Sequence, residues 1–102
     1  MLEPRPTCEH CNKPLPANAT DACICSYECT FCANCVAHVL MNVCPNCGGG
    51  FTQRSIRPAR NWKGNNFLGR DSAGELVKHR PVDPIAHAAW AAGIKGIAAS
   101  DR

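Results

Sequence analysis

Nine cysteines crowd the first half of this 102-residue chain, in the order Cys8-x2-Cys11-x11-Cys23-x-Cys25-x3-Cys29-x2-Cys32-x2-Cys35-x8-Cys44-x2-Cys47. In a Cys-x2-Cys pair both thiolates sit on one tight backbone knuckle, so both reach a single tetrahedral ion at about 2.3 Å. One such pair is a weak signal. Four half-sites between residues 8 and 47 are a strong one. Leaving out Cys23 gives four regular pairs: Cys8/Cys11, Cys25/Cys29, Cys32/Cys35 and Cys44/Cys47. Eight thiolates suffice for two four-sulfur sites and two Zn²⁺ ions. Cys23 is then the spare thiol, expected to be a small, partly buried side chain rather than a reactive one.

Disulfides are the competing chemistry for such a cluster. Met1-Leu2-Glu3-Pro4-Arg5-Pro6 has no basic patch leading into an apolar run, so no secretory signal is expected there. No run of about 18 apolar residues is present, so no membrane span is expected. A cytoplasmic chain keeps its thiols reduced, and clustered cysteines then favour metal. Nine is also odd, and a full set of disulfides would strand one thiol. Iron–sulfur clusters also take four cysteines, but the regular knuckles favour zinc.

Four-sulfur zinc sites are closed and leave no position for an activated water. No Cys/His/acid arrangement for nucleophilic catalysis can be assigned either. The chain is therefore expected not to be an enzyme. His10 lies between two thiols already placed and is expected on the knuckle surface. His38 is expected as a solvated or capping side chain on a helix, and His79 and His87 have no metal-ligand spacing.

The elements that must hold these thiols are short. Val36, Val39, Leu40, Ile24 and Phe31 are too few to offset the ordering entropy of the first fifty residues, so coordination has to staple the fold. Cys32, Cys35, Val36, Val39 and Leu40 share one helical face, which predicts a short helix over about 33–42. Pro14 to Asn18 reads as a loop.

After Gly48-Gly49-Gly50 the composition changes and no cysteine follows. The charge changes too: the net is −2 through Gln53 and +5 from Arg54 on, for +3 overall. The sequence divides into a metal-binding module over residues 1–57, a linker over 58–82 and a C-terminal helix over 83–99. Asp83-Pro84 supplies the helix start, and His87, Trp90, Ile94 and Ile97 its apolar side. Gly93 and Gly96 weaken that helix by about 1 kcal/mol each relative to alanine. It is expected to pack within the molecule. Arg54, Arg57, Arg60 and Lys63, with Trp62 and Phe67 interleaved, form a candidate contact for nucleic acid or another partner.

Two resemblances add to this. The order of four pairs, with Pro45 inside Cys44-Pro-Asn-Cys47, resembles the RING finger family. That resemblance implies a small metal-stapled α+β fold, cross-braced by two zinc ions, with a short central helix and a small hairpin, followed here by a partly ordered tail ending in a helix. It also implies interleaved ligands: Cys8, Cys11, Cys32 and Cys35 at site 1, and Cys25, Cys29, Cys44 and Cys47 at site 2. The sequential alternative joins the first two pairs and the last two; Cys29-x2-Cys32 is so short that separate sites would nearly collide. Eukaryotic RING fingers transfer ubiquitin by docking a conjugating enzyme.

More closely, Cys25-Ser-Tyr-Glu-Cys-Thr-Phe-Cys-Ala-Asn-Cys35, Val43-Cys-Pro-Asn-Cys-Gly-Gly49 and Arg54-Ser-Ile-Arg-Pro58 resemble the small bacterial family "domain of unknown function 1272" over about residues 1–58. A bacterial family does not carry over the ubiquitin activity. The resulting expectation is an adaptor for another protein, docking near Pro16, Ile24 and Pro45, with nucleic-acid binding through the basic tail as the alternative.

Overall fold

A computed structural model describes residues 1–102. Three short strands, β1 (Ala22–Ile24), β2 (Thr30–Cys32) and β3 (Thr52–Gln53), form an antiparallel sheet in the order β2-β1-β3. The register pairs Ala22 with Cys32, Ile24 with Thr30, and Ile24 with Thr52. The β1–β2 hairpin closes over Cys25 to Cys29, so its turn is itself a cysteine pair. Glu28, at φ 65°, makes the reversal, and its N–H donates to Cys25 O at 3.0 Å.

β2 runs directly into α1 (Ala33–Cys35), which widens into a π-helical turn over Val36–Leu40. The helix therefore starts where the sequence places it and stops two residues short of 42. Met41 and Asn42 are both left-handed, at φ 52° and 57°, and neither can extend the helix. The wide last turn brings Leu40 fully into the core.

The core shows why the sequence looked too poor to fold. Its ten buried members are Cys8, Leu15, Ala22, Cys25, Cys29, Phe31, Cys32, Cys35, Leu40 and Cys44, and six of them are cysteines. Phe31 meets Phe51 edge-to-face at 5.5 Å. Leu15 and Phe31 are the largest apolar side chains fully enclosed. The interior is a layer of sulfur with a thin aliphatic lining.

The tail departs from its expected course in two ways. Helix α2 covers Pro84–Ala91, not 83–99. Asp83 caps it as predicted, its carboxylate accepting from Ile85 N at 3.0 Å and Ala86 N at 3.3 Å. Beyond Ala91 the chain breaks into turns through Gly93 and Gly96, followed by a 3₁₀ turn at Ala99–Asp101. Glycines two and five residues past Ala91 are enough to stop an eight-residue helix from propagating.

The segment before α2 has no helix or strand, yet it runs along the head. Gly74 N donates to Pro4 O, Arg80 N to Glu9 O and Val82 N to His10 Nδ1, all at 2.8–2.9 Å. α2 then seats on the π-helical turn. His87 is buried, with Nε2 2.9 Å from the Leu40 carbonyl. That oxygen only accepts, so Nε2 carries the proton.

The side of α2 that meets the head is His87 and Ala91, whereas Trp90 stays 47% exposed beside Gly48. We expect His87→Ala to loosen α2 by about 1–2 kcal/mol while leaving the head intact. Hydrogen exchange should show faster exchange at the Ala91 and Ala92 amides and unchanged protection at those of Cys8 and Cys44.

Candidate metal centres

The first and last cysteine pairs are built alike. In each, the N–H of the first cysteine donates to the carbonyl five residues on: Cys8 to Lys13 at 2.9 Å, Cys44 to Gly49 at 2.8 Å. Its own carbonyl accepts from the residue four on, Asn12 N at 3.0 Å and Gly48 N at 2.8 Å. That fourth residue is left-handed, at φ 62° for Asn12 and 76° for Gly48. Glycine and asparagine are the residues that adopt this conformation at least strain. Their position directly after the second cysteine of each pair was a usable signal in the sequence.

The other two pairs come from the hairpin and the helix. Cys25 and Cys29 close the hairpin turn. Cys32 ends β2 in an extended conformation (φ −73°, ψ 154°), and Cys35 lies in α1. β2 is thus the spacer between Cys29 and Cys32. Three residues of strand span about 10 Å, which keeps two sites apart where the sequence leaves only two intervening residues.

The structure gathers Cys8, Cys11, Cys32 and Cys35 so that all four sulfurs lie within 4.8 Å of one another. Cys11 Sγ and Cys32 Sγ are 3.8 Å apart. Two ligands about 2.3 Å from a tetrahedral ion are separated by about 3.8 Å, so this set fits one ion. Cys25, Cys44 and Cys47 form a second such group. Cys29 stands next to it, outside the tightest grouping, and Asn46 Nδ2 donates to its sulfur at 3.4 Å. Gly49 N donates to Cys47 Sγ at 3.4 Å. Donors of this kind orient and stabilise a thiolate. Pairs one and three meet, as do pairs two and four.

None of the nine cysteines is joined in a disulfide. Cys11 and Cys47 are exposed, and the other six grouped thiols are buried. Burial, reinforced by neighbouring thiols, pushes Cys35 well above the ordinary thiol range. Burial does the same to Cys44 against its backbone donors, with Cys29 and Cys25 adding like charge. A dication bound at either group would take the place of the protons on Cys35 and Cys44. Cys23 lies on β1 outside both groups, half-buried, with its thiol raised by burial and by Asp21.

The basic candidates divide. Arg54, expected to face a partner, is 1% exposed. It donates to the carbonyls of Arg5 (2.9 Å), Leu15 (3.2 Å) and Pro16 (2.9 Å), tying the N-terminal loop to the end of β3. Burial lowers its pKa, with Asp21 acting the other way. Arg57 is half-buried and donates to Leu2 O and Asp71 O. Both are parts of the fold. Arg60 and Lys63 are exposed.

Glu9 was missed in the sequence. It is 1% exposed, accepts from Thr30 N at 2.6 Å and Arg5 at 2.7 Å, and lies 3.4 Å from Arg80 of the tail. His10 is a brace, accepting from Val82 N rather than holding metal.

Residues 1–57 match a family described as "Protein of unknown function (DUF1272)". A 59-residue stretch is 52% identical to an uncharacterised protein of Rhizobium meliloti (strain 1021), covering 58% of this chain and 70% of that protein. No solved structure matches. No helix is long and apolar enough to cross a membrane.

Proposed function

Because this chain belongs to the DUF1272 family, whose function is unknown, its role must be argued from its own residues, and we propose that it is a structural zinc protein whose two ions cross-brace a RING-like docking module for another protein. The observation that carries this is the convergence of Cys8 and Cys11 with Cys32 and Cys35 within 4.8 Å. Compact four-sulfur sets suit zinc. A polynuclear iron–sulfur cluster spreads its thiolates over separate irons and needs them farther apart. In the second site we assign Cys29 as the fourth ligand beside Cys25, Cys44 and Cys47. Eight cysteines kept as ligands need a reducing compartment, which supports a cytoplasmic assignment.

Closed sulfur sites favour docking over catalysis, since no coordination position is left for a substrate. The candidate face is bounded by Pro16, exposed, and by Ile24 and Pro45, half-buried. Metal analysis of the purified protein should find two zinc ions per chain in a colourless sample. One ion per chain, or a coloured protein containing iron, would refute the metal assignment. For the docking role, cross-linked capture should yield a protein partner that is lost with Pro45→Ala. Capture indifferent to Pro45→Ala and Ile24→Ser would refute that part and leave the metal assignment standing.

A further inference from the structure

Between the head and α2 the chain forms a closed loop. Leu68 N donates to Pro58 O at 2.9 Å, and Arg57 donates to Asp71 O at 2.7 Å, so the two ends meet at a neck. At the far end Gly64 and Asn65 are both left-handed (φ 64° and 60°), and Asn66 N returns to Lys63 O at 3.3 Å, as in a type I′ turn. Asparagine side chains brace the interior. Asn61 Oδ1 accepts from Asn65 N at 3.0 Å, and Asn66 Nδ2 donates to Lys63 O at 3.2 Å. Compact loops of this size with closed necks are frequently functional.

The loop holds Trp62 74% exposed. Arg60 and Lys63 flank it, both exposed and neither in any of the four ion pairs of the molecule. Phe67 folds back over Gly69, and Leu68 is half-buried, so one aromatic ring alone projects. An indole between two uncompensated cations matches the chemistry of a base between two phosphates. We propose that this loop binds single-stranded nucleic acid, with Trp62 stacked on a base and Arg60 and Lys63 on the adjoining phosphates. A single strand is favoured over a duplex because its bases offer a free face. It is favoured over a lipid surface because one ring supplies little apolar area to a membrane but all that one base requires. The head, net −2 before its thiolates are counted, repels phosphate and orients the strand towards the loop.

The test uses the intact, zinc-loaded chain and fluorescein-labelled oligo(dT) and oligo(U), followed by anisotropy at about 50 mM salt. Binding should weaken with salt at a log–log slope of about −1.4, the value for two phosphates on a single strand. Trp62→Ala should weaken it roughly tenfold, and Arg60→Glu with Lys63→Glu should abolish it. In a Trp90→Phe background the remaining indole emission should fall on binding. Circular dichroism and metal content should be unchanged in every loop variant, since the loop supplies no ligand. No binding at low salt, binding indifferent to Trp62→Ala, or preference for phosphatidylglycerol vesicles over either oligonucleotide overturns the proposal without touching the metal assignment.

Discussion

Chelating the metal is expected to unfold the first half of this protein, not merely loosen it. Six of its ten core residues are cysteines, and without an ion that interior is a set of crowded thiols with Leu15, Phe31 and Leu40 as its main aliphatic and aromatic content. Binding of structural zinc is worth about 10–16 kcal/mol in small domains, as much as or more than the whole stability of a typical one. Far-UV circular dichroism and amide dispersion should both collapse with a strong chelator and return with Zn²⁺. Cys32→Ser should reproduce the loss in the presence of metal, because Cys32 joins β2 to the first site. Cys23→Ser should change neither signal. A chelated protein that keeps its spectrum would mean that the core does not depend on coordination.

The second large effect is expected at Arg54. Removing its side chain leaves the carbonyls of Arg5 and Leu15 without their donor and takes one of two donors from Pro16, whose oxygen still accepts from Ala19 N. Each orphaned acceptor and each lost charge-assisted bond costs about 1–3 kcal/mol, and we expect Arg54→Ala to lose about 3–5 kcal/mol in all. At fixed zinc that is a fall in melting temperature of at least about 10 °C. Arg54→Lys should recover only part, since an ammonium cannot reproduce the planar fork that reaches three carbonyls. A variant that melts normally but loses a partner would return Arg54 to the surface role its charge suggests.

Arg54 also marks the limit of what the sequence makes legible. The grouping of the cysteines can be read because coordination chemistry fixes cysteine spacing locally. The helix at Ala33 and the Asp83 cap can be read because periodicity and capping are local too. What a charged side chain faces depends on contacts tens of residues away. Arg54 reaches Arg5, Leu15 and Pro16, and nothing around Ser55 or Ile56 signals it. Glu9 is the same case: a carboxylate inside a cysteine knuckle looks solvated until Thr30 and Arg80 are brought to it. The overestimated C-terminal helix is a different failure. Its glycines were visible, but their weight against an alanine-rich run depends on how little of α2 the head buries.

The hairpin has a bearing on how the protein is made. Chains emerge N-terminus first at about 5–20 residues per second, so Cys25 and Cys29 reach solution before Cys32 and Cys35, and Cys44 and Cys47 arrive roughly 0.5–2.5 s later still. Among the four regular pairs, the first complete tetrad available to a growing chain is therefore Cys8, Cys11, Cys25 and Cys29, which is not the one the finished molecule gathers. Thiolates exchange on zinc, and pairing of β1 with β2 sets about 10 Å of strand between Cys29 and the newly arrived Cys32. A first tetrad built that way would have to exchange Cys25 and Cys29 for Cys32 and Cys35 before the finished arrangement is reached.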